Sequence, residues 1–176
     1  MSTDGINIYT DAGITKIRDA AISSSQVRIK YISVGDANGS NYTPVITQTA
    51  LTNERIRVEI ESYYPYDTNA WHVTATIPSD AITVDVREMG FHDENGELIA
   101  LWAGPDITPR QTGVWEYVID HAIVFGGIAD GIITIDGTPD EVVEFMASTV
   151  QSLANIRLQQ LEQSETIKEA ILKGRL

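Results

Sequence analysis

Apolar residues alternate with polar ones in several short segments of the first hundred residues, which is the period of a half-buried β-strand. The alternation is cleanest over residues 55–61, where every intervening position is charged. It also covers residues 27–34 and 71–77, and each of these segments predicts a strand. Between them, the composition predicts a Gly-, Asn- and Ser-rich loop over residues 35–49 and a tyrosine-rich connection over residues 63–66.

Three further features define the strands that follow. A strand that begins at Ile82 loses its phase at Arg87-Glu88, which predicts a β-bulge. Asn95-Gly96 stands between two apolar runs and predicts a hairpin, because both residues tolerate a positive φ. The long β-branched and aromatic run from Trp115 to Phe125 predicts a central strand, and residues 132–135 predict the last one.

Capping residues predict a helix near each end of the chain. Thr10 is a suitable N-cap for a short amphipathic helix over about residues 11 to 22. The segment from Thr138 to Glu141 has the residues of a capping box with Pro at the first helical position. An unbroken helix from Pro139 to Lys173 would be about 50 Å long at ~1.5 Å per residue.

These elements predict an α+β fold, mainly antiparallel β-sheet with a short N-terminal helix and a long C-terminal helix. The predicted organisation is a sheet-bearing domain over residues 1–137, followed by a helical segment over residues 138–176 that serves oligomerisation or a fibre junction.

The C-terminal helix carries an apolar stripe at spacings of three and four, with one five-residue step. The stripe consists of Val143, Met146, Val150, Leu153, Leu158 and Leu161. This imperfect heptad leaves two interpretations open: the stripe packs against other chains, or the helix folds back on the sheet. Apolar residues become sparse after Leu161, which favours a thin multi-chain seam or a segment that awaits a partner.

Charge and composition exclude several functions. The chain has 12 Lys and Arg against 25 Asp and Glu, a net charge of -13, so nucleic acid and anionic membranes would be repelled. The lack of Cys excludes disulfides, thiolate metal sites and cysteine nucleophiles. No apolar run approaches the ~20 residues of a membrane span, and the start resembles no secretory signal, so we expect a soluble chain made in the cytoplasm.

The sequence shows no clear constellation of reactive residues. The histidines, His72, His92 and His121, have none of the spacings of a metal site, and His121 suits a hydrogen-bonded core or interface position. No G-x-S-x-G motif is present, and no serine stands at a recognisable spacing from a histidine. The segment Asp36 to Gly39 begins like a calcium loop but lacks the later Glu, so we expect a tight turn.

Two carboxylate pairs, Glu59/Glu61 and Glu94/Glu97, could serve as acid and base in glycosidic chemistry. The first pair lies on a solvated strand face and the second frames a hairpin, so structural roles are the better interpretation. We therefore expect no catalytic residue, no metal and no cofactor.

Five segments, taken in order, give a specific family resemblance. They are residues 10–17 (TDAGITKI), 32–39 (ISVGDANG), 48–55 (QTALTNER), 77–78 (IP) and 87–100 (REMGFHDENGELIA). Together, across residues 8–136, they resemble the N-terminal domain of phage tail-collar fibre proteins, which are tail fibres of contractile-tailed phages and related prophage particles.

The resemblance implies a structural role in a virion tail, assembled in the cytoplasm of a bacterial host, with attachment to a baseplate and no enzymatic activity. The motif residues to which it assigns turns and sheet register are Gly35, Asp36, Gly39, Arg87, Glu88, Asn95 and Gly96. Gly35 and Gly39 would shape one loop, and Asn95-Gly96 would close the hairpin. Arg87 and Glu88 could pair with each other at the bulge.

The sequence departs from the family pattern in two places. The family usually has a Gly-Gly-aromatic stretch between Pro78 and Arg87, whereas Ser79 to Ile82 stands here. Known fibres of this type continue to a distal receptor-binding tip, whereas this chain ends at Leu176, so we expect a short adaptor or the proximal piece of a split fibre. The C-terminal helix would join a homotrimer or a distal fibre component, and a baseplate protein would bind the other end.

A second function, from another class, is that of a carbohydrate-binding or glycan-cleaving tail component. Exposure of Trp71, Trp102 or Trp115 around a carboxylate pair would favour this function, and burial of those rings would count against it.

Overall fold

The computed structural model describes residues 5–67, 69–113 and 115–172. The chain divides into two compact units, Met1–Pro139 and Asp140–Leu176. Its class is α+β: the described residues form mostly β-sheet, with two α-helices, α1 Asp11–Ser23 and α2 Glu141–Leu172.

Twelve strands lie within the described residues, all in the first unit. In chain order they are β1 Ile6–Tyr9, β2 Val27–Gly35, β3 Glu54–Glu59, β4 Ser62–Asp67, β5 Ala70–Ile77, β6 Asp85–Val86, β7 Glu88–Asp93, β8 Leu98–Ala103, β9 Arg110–Gln111, β10 Tyr117–Val124, β11 Ile133–Ile135 and β12 Thr138–Pro139. The largest sheet has the order β1-β8-β7-β2-β11, with β3 also paired to β2. A second sheet has the order β10-β5-β4-β12, and β6 and β9 form a short ribbon.

The hydrophobic core joins the two larger sheets. Ile32 and Phe91, from the first sheet, belong to the same buried cluster as Val73 and Ile119 from the second. Every residue of β7 is buried, as expected for a central strand that is covered on both faces. β3 instead alternates between half-buried and exposed positions, which confirms the solvated face predicted from its charged residues.

Thr10 fixes the start of α1 and attaches the helix to the sheet. Its hydroxyl accepts a hydrogen bond from the Gly13 N–H (2.9 Å) and donates one to the Leu98 carbonyl of β8 (2.6 Å). Gly13 permits this close approach, because a Cβ there would overlap the Ile99 carbonyl. The predicted helix over residues 11–22 is confirmed.

Most strands of the first hundred residues are confirmed. The segments 27–34, 55–61 and 71–77 form β2, β3 and β5 within one or two residues of the predicted bounds. The chain leaves the ladder between β6 and β7 at Arg87, where the bulge is predicted. β7 and β8 form the antiparallel hairpin predicted around Asn95-Gly96, and Gly96 has a φ of +82°.

Two strand predictions are wrong. Residues 63–66 are part of β4 rather than a connection, because tyrosines favour a strand and the register shift between Pro65 and Asp67 accommodates the missing N–H. The run after Trp115 forms an edge strand rather than a central one: among the described strands, β10 pairs with β5 alone.

The predicted start of the C-terminal helix is also wrong. Thr138 and Pro139 form β12, which pairs in parallel with Ser62 and Tyr63 of β4. The Thr138 N–H donates to the Glu61 carbonyl (2.9 Å), so this residue continues the sheet, and the helix begins two residues after Pro139. β11 likewise pairs in parallel with β2, which makes the sheets mixed.

The second unit contains α2, a helix of 32 residues by its backbone. The part of α2 over which every side chain is described is shorter than the backbone helix and covers residues 152–165. All of these side chains are exposed. None of the helices within the described residues is long and apolar enough to cross a membrane.

Candidate functional site

Three of the five family-like segments, residues 32–39, 48–55 and 87–100, meet at one buried carboxylate, that of Glu88. Glu88 has no exposed surface, and it accepts hydrogen bonds from the Tyr42 hydroxyl (2.7 Å) and from the backbone N–H groups of Thr52 (2.9 Å) and Asn53 (2.8 Å). A buried carboxylate is tolerated when its oxygens accept several hydrogen bonds. The first strand residue of β7 therefore holds the loop over residues 36–53, which we call the Glu88 loop.

Gly35 and Asp36 complete the same network. A Cβ at Gly35 would lie 2.5 Å from the Asn53 carbonyl oxygen and from a Glu88 oxygen, so a side chain there would displace the loop. The Asp36 carboxylate accepts hydrogen bonds from the Asn53 amide (2.7 Å) and from Arg55 (3.0 Å). These contacts bring residues 35–36 and 53–55 together.

The turn after Asp36 contains residues with positive φ. Asp36 also accepts a hydrogen bond from the Asn38 N–H (3.0 Å), and Gly39 has a φ of +80°. A Cβ at Gly39 would meet no atom within 4 Å, so backbone conformation rather than crowding accounts for this glycine. The segment forms the tight turn expected from the sequence.

Arg87 and Glu88 have separate partners, so the ion pair expected between them is wrong. The Arg87 guanidinium donates to the Asn41 amide oxygen (2.7 Å), and the Asn41 amide nitrogen donates to the carbonyls of Pro105 (3.1 Å) and Ile107 (2.8 Å). Arg87 thereby connects the Glu88 loop to the segment before β9. Neither Asn41 nor Tyr42 is identified from the sequence alone. The only sequence signal for them is the presence of an amide and an aromatic ring in a polar loop.

The Asn95-Gly96 turn is held by Asp93 and Lys16. Asp93 accepts hydrogen bonds from the backbone N–H groups of Asn95 (3.0 Å) and Glu97 (2.8 Å), and it forms an ion pair with Lys16 of α1. Burial acts to raise the pKa of Asp93, but the Lys16 ammonium and the Glu97 N–H outweigh it, so the pKa lies below its ordinary value. This turn therefore also fixes the position of α1.

Ser33 and His92 form a hydrogen-bonded pair that sequence spacing does not reveal. The Ser33 hydroxyl lies 2.7 Å from His92 Nε2, and the Gly96 carbonyl lies 3.3 Å from Nδ1. Since a carbonyl can only accept, Nδ1 carries the proton and Nε2 accepts from Ser33. Burial, with the positive charge of Arg57, lowers the pKa of His92 to about 4.

This pair does not have the arrangement of a catalytic triad. Ser33 and His92 are 0% and 1% exposed, so a substrate has no access to either side chain. The Glu54 carboxylate lies 3.8 Å from Nε2, the nitrogen that faces the serine, whereas a triad carboxylate binds the other nitrogen. The pair is a buried polar link between β2 and β7.

The other two histidines line a cavity of about 360 Å³ between the two larger sheets. His72 Nδ1 lies 2.9 Å from an Asp120 oxygen, and its ring stacks on Tyr64. His121 Nε2 lies 3.3 Å from the Asn7 amide oxygen, and burial, followed by the charge of His72, lowers the pKa of His121 to about 4. Within the described residues, no three His, Asp or Glu side chains group as metal ligands.

The carboxylates of the two predicted pairs have ordinary partners. Glu59 lies 3.4 Å from Lys30, and Glu61 accepts a hydrogen bond from the Thr76 hydroxyl (2.8 Å). Glu94 lies 4.0 Å from an Arg28 nitrogen, and Glu97 pairs with Lys16 (2.7 Å).

The three tryptophans differ in exposure. Trp71 is half-buried and packs edge-on against Phe125 in the core. Trp102 is half-buried and contributes to the cavity between the sheets. Trp115 is 80% exposed, just before β10. Of these rings, Trp102 is therefore the one placed beside polar groups in a concave site.

In the second unit, the predicted stripe is exposed to solvent. The described side chains of the stripe are 53–66% exposed; they are Met146, Val150, Leu153, Leu158 and Leu161. The side chain of Val143 lies outside the described residues. Ile167, which continues the stripe, is also more than half exposed, and so are Phe145 and Ile156, which the stripe does not include.

The chain matches a known protein family. A family model described as phage tail-collar fibre protein, N-terminal, matches residues 1–114, a range that includes α1 and β1 to β9. No curated protein and no solved structure shows significant similarity to the chain. β10, the parallel strands β11 and β12, and α2 lie outside the matched residues.

Proposed function

Because the chain belongs to the phage tail-collar fibre protein family and is therefore a structural component of a phage tail, we propose that it attaches a fibre to the baseplate of a contractile tail and joins sister subunits through α2. The observation that supports the junction is the exposed apolar surface of α2. A contiguous apolar surface of this kind is typical of an interaction site.

The helical positions of these residues favour packing between chains. At about 100° per residue, Met146, Val150, Leu153 and Leu161 fall within an arc of about 80°. Leu158 lies about 60° to one side of this arc and Ile156 about 60° to the other. The apolar face is thus wider than the seam of a two-stranded coiled coil, which favours more than two helices around it. The assembly in this proposal is a homotrimer.

The Glu88 loop is our candidate for the baseplate contact. Buried hydrogen bonds fix its conformation, while Val45 and Ile46 on the same loop remain 53% and 50% exposed. The net charge of -13 suits a basic surface on the baseplate protein. No catalytic step belongs to this function, and the one Ser–His pair among the described residues is sealed from solvent.

Paired substitutions on α2 test the junction directly. In Val150→Asp with Leu153→Asp, two charges enter the proposed seam, so we expect a trimer to become a monomer while the sheet content stays unchanged. Asn155→Asp with Gln159→Asp is the matched control, because it adds the same charge on exposed positions opposite the apolar arc. Native mass spectrometry and far-UV circular dichroism give the two readouts. Equal loss of assembly in both variants, or none in either, contradicts the proposal.

A further inference from the structure

The cavity between the sheets has the size and the lining of a small-molecule site. Its volume of about 360 Å³ lies within the roughly 300–1,000 Å³ that such sites occupy. Val86, Met89 and Ile107 give it a buried apolar base, since each is less than 8% exposed. The ring of Trp102 adds a flat apolar wall.

Three hydrogen-bond donors line the cavity: those of the exposed Arg110 and Thr108 and of the half-buried Tyr117, whose side chains form no hydrogen bond within the described residues. In the described part of Met1–Pro139, every other basic side chain is ion-paired or, for Arg87, hydrogen-bonded to Asn41. In a chain of net charge -13, an unpaired guanidinium beside a cavity is a specific attraction for an anion. Its planar donors match the geometry of a carboxylate.

The Tyr117 hydroxyl can donate a hydrogen bond to the same anion. Burial raises the pKa of Tyr117, and the positive charge of Arg110 opposes this rise without reversing it. The hydroxyl therefore keeps its proton at neutral pH. Arg110 and Tyr117 together present a charged and a neutral donor to one part of the cavity.

The acceptors of the cavity call for a ligand that also carries hydroxyl groups. Asp120 shares one oxygen with His72, and its other oxygen can accept a further hydrogen bond. His121 is neutral at pH 7, and because Nε2 donates to the Asn7 amide oxygen, Nδ1 is left as an acceptor. A ligand with several O–H groups satisfies acceptors of this kind, whereas an aromatic carboxylate does not.

We propose that this cavity binds a monosaccharide that carries a carboxylate, that is, a uronic acid residue. Its carboxylate binds Arg110 and Tyr117, its hydroxyls bind Asp120 and His121, and its ring lies against Trp102. A neutral hexose lacks the anion for Arg110, and inorganic phosphate lacks the body that would cover the apolar base.

Titration of the intact chain with glucuronate tests the proposal. Isothermal calorimetry and tryptophan fluorescence should show saturable binding in the millimolar range, with glucose and benzoate both at least about tenfold weaker, since each lacks one set of charged or polar contacts. Arg110→Gln should weaken glucuronate binding by about tenfold or more and leave the weak binding of glucose unchanged. Asp120→Asn is the second variant, and it should weaken both sugars.

Arg18→Gln is the matched control, because it removes an exposed guanidinium on α1 that pairs with Asp19 instead of lining the cavity. Urea midpoints for all variants show whether each remains folded. The proposal is overturned by absence of glucuronate binding, by equal affinity for glucose or benzoate, or by an Arg110→Gln variant that is folded and binds normally. Native mass measured on the same samples reports on assembly separately, so failure here leaves the proposed junction untouched.

Discussion

The carboxylate of Glu88 is the single group that connects the most sequence motifs. It lies in β7, yet its three hydrogen-bond donors belong to Tyr42, Thr52 and Asn53 of one distant loop. Hydrogen bonds to a charged group contribute about 1.5–3 kcal/mol each, more than most surface contacts. The geometry of the Glu88 loop therefore depends strongly on the Glu88 carboxylate.

Glu88→Gln should lower the free energy of unfolding by about 2–3 kcal/mol, because the amide nitrogen would face a backbone N–H in place of an acceptor. Urea unfolding monitored by circular dichroism measures the change. Glu94→Gln is the control, since the ion pair of Glu94 with Arg28 is long (4.0 Å) and both side chains are exposed, and it should change stability by less than about 0.5 kcal/mol. Similar midpoints for the two variants would show that the Glu88 network carries little energy.

His92 links stability to pH. Its folded pKa is about 4, whereas the unfolded side chain titrates near its ordinary value of about 6.5. Between these values the unfolded chain binds the additional proton, so the free energy of unfolding falls as the pH falls from about 6.5 to about 4. His121, whose pKa is also lowered to about 4, acts in the same direction.

Replacement of His92 by Asn should therefore flatten this pH dependence. Within this pH window, the free energy of unfolding of the wild type should fall by up to about 1.4 kcal/mol per pH unit for each such histidine. The slope of His92→Asn should be smaller, because the contribution of His92 is absent. Chemical unfolding at several pH values between 4 and 7 provides the comparison. An identical slope in the two proteins would mean that His92 is not the group that titrates.

At the scale of secondary structure, local sequence patterns predicted the features that depend on neighbouring residues alone. Thr10 as a cap, Gly96 in a turn and the alternation of β3 each act within a few residues, and each prediction is confirmed. The edge position of β10 depends on which strands pair far along the chain, which no local pattern records. Thr138 has the chemistry of a cap, but pairing with β4 prevails.

The candidate sites show the same limit. The motif residues Arg87 and Glu88 are evident in the sequence, but their partners Asn41 and Tyr42 come from a loop without a pattern. The Ser33–His92 pair arises because β2 and β7 are adjacent in the sheet, although the residues are 59 apart in the chain. Side chains that meet through sheet topology were therefore not predictable by spacing.

Between Met146 and Leu161 on α2, one residue within the apolar arc is charged. At about 100° per residue, Arg157 lies between Val150 and Met146 in direction, near the middle of the proposed seam. Arg157→Leu should therefore raise the melting temperature of the assembly, because a buried leucine replaces a cation that must keep its solvent. Asn155→Leu, which adds the same side chain on the opposite face of the helix, should have little effect. An unchanged or lower melting temperature for Arg157→Leu would place the seam on another face.

At the scale of the whole molecule, each of the two units has its own role in the proposed function. In the sheet-bearing unit, Met1–Pro139, hydrogen bonds of Glu88 and Asp36 hold three of the family-like motifs together. The unit Asp140–Leu176 presents apolar side chains that the chain by itself leaves exposed. Such a surface costs free energy in water and is stabilised when other copies cover it.

The most direct test of the junction through α2 is native mass across a dilution series. It is measured for the intact chain and for a version that ends at Pro139. We expect the intact chain to have three times its monomer mass, and the shortened version, which keeps β12, to have the mass of one monomer with the same sheet content. A monomeric intact chain at all concentrations, or a shortened version that still forms trimers, would contradict a junction through α2.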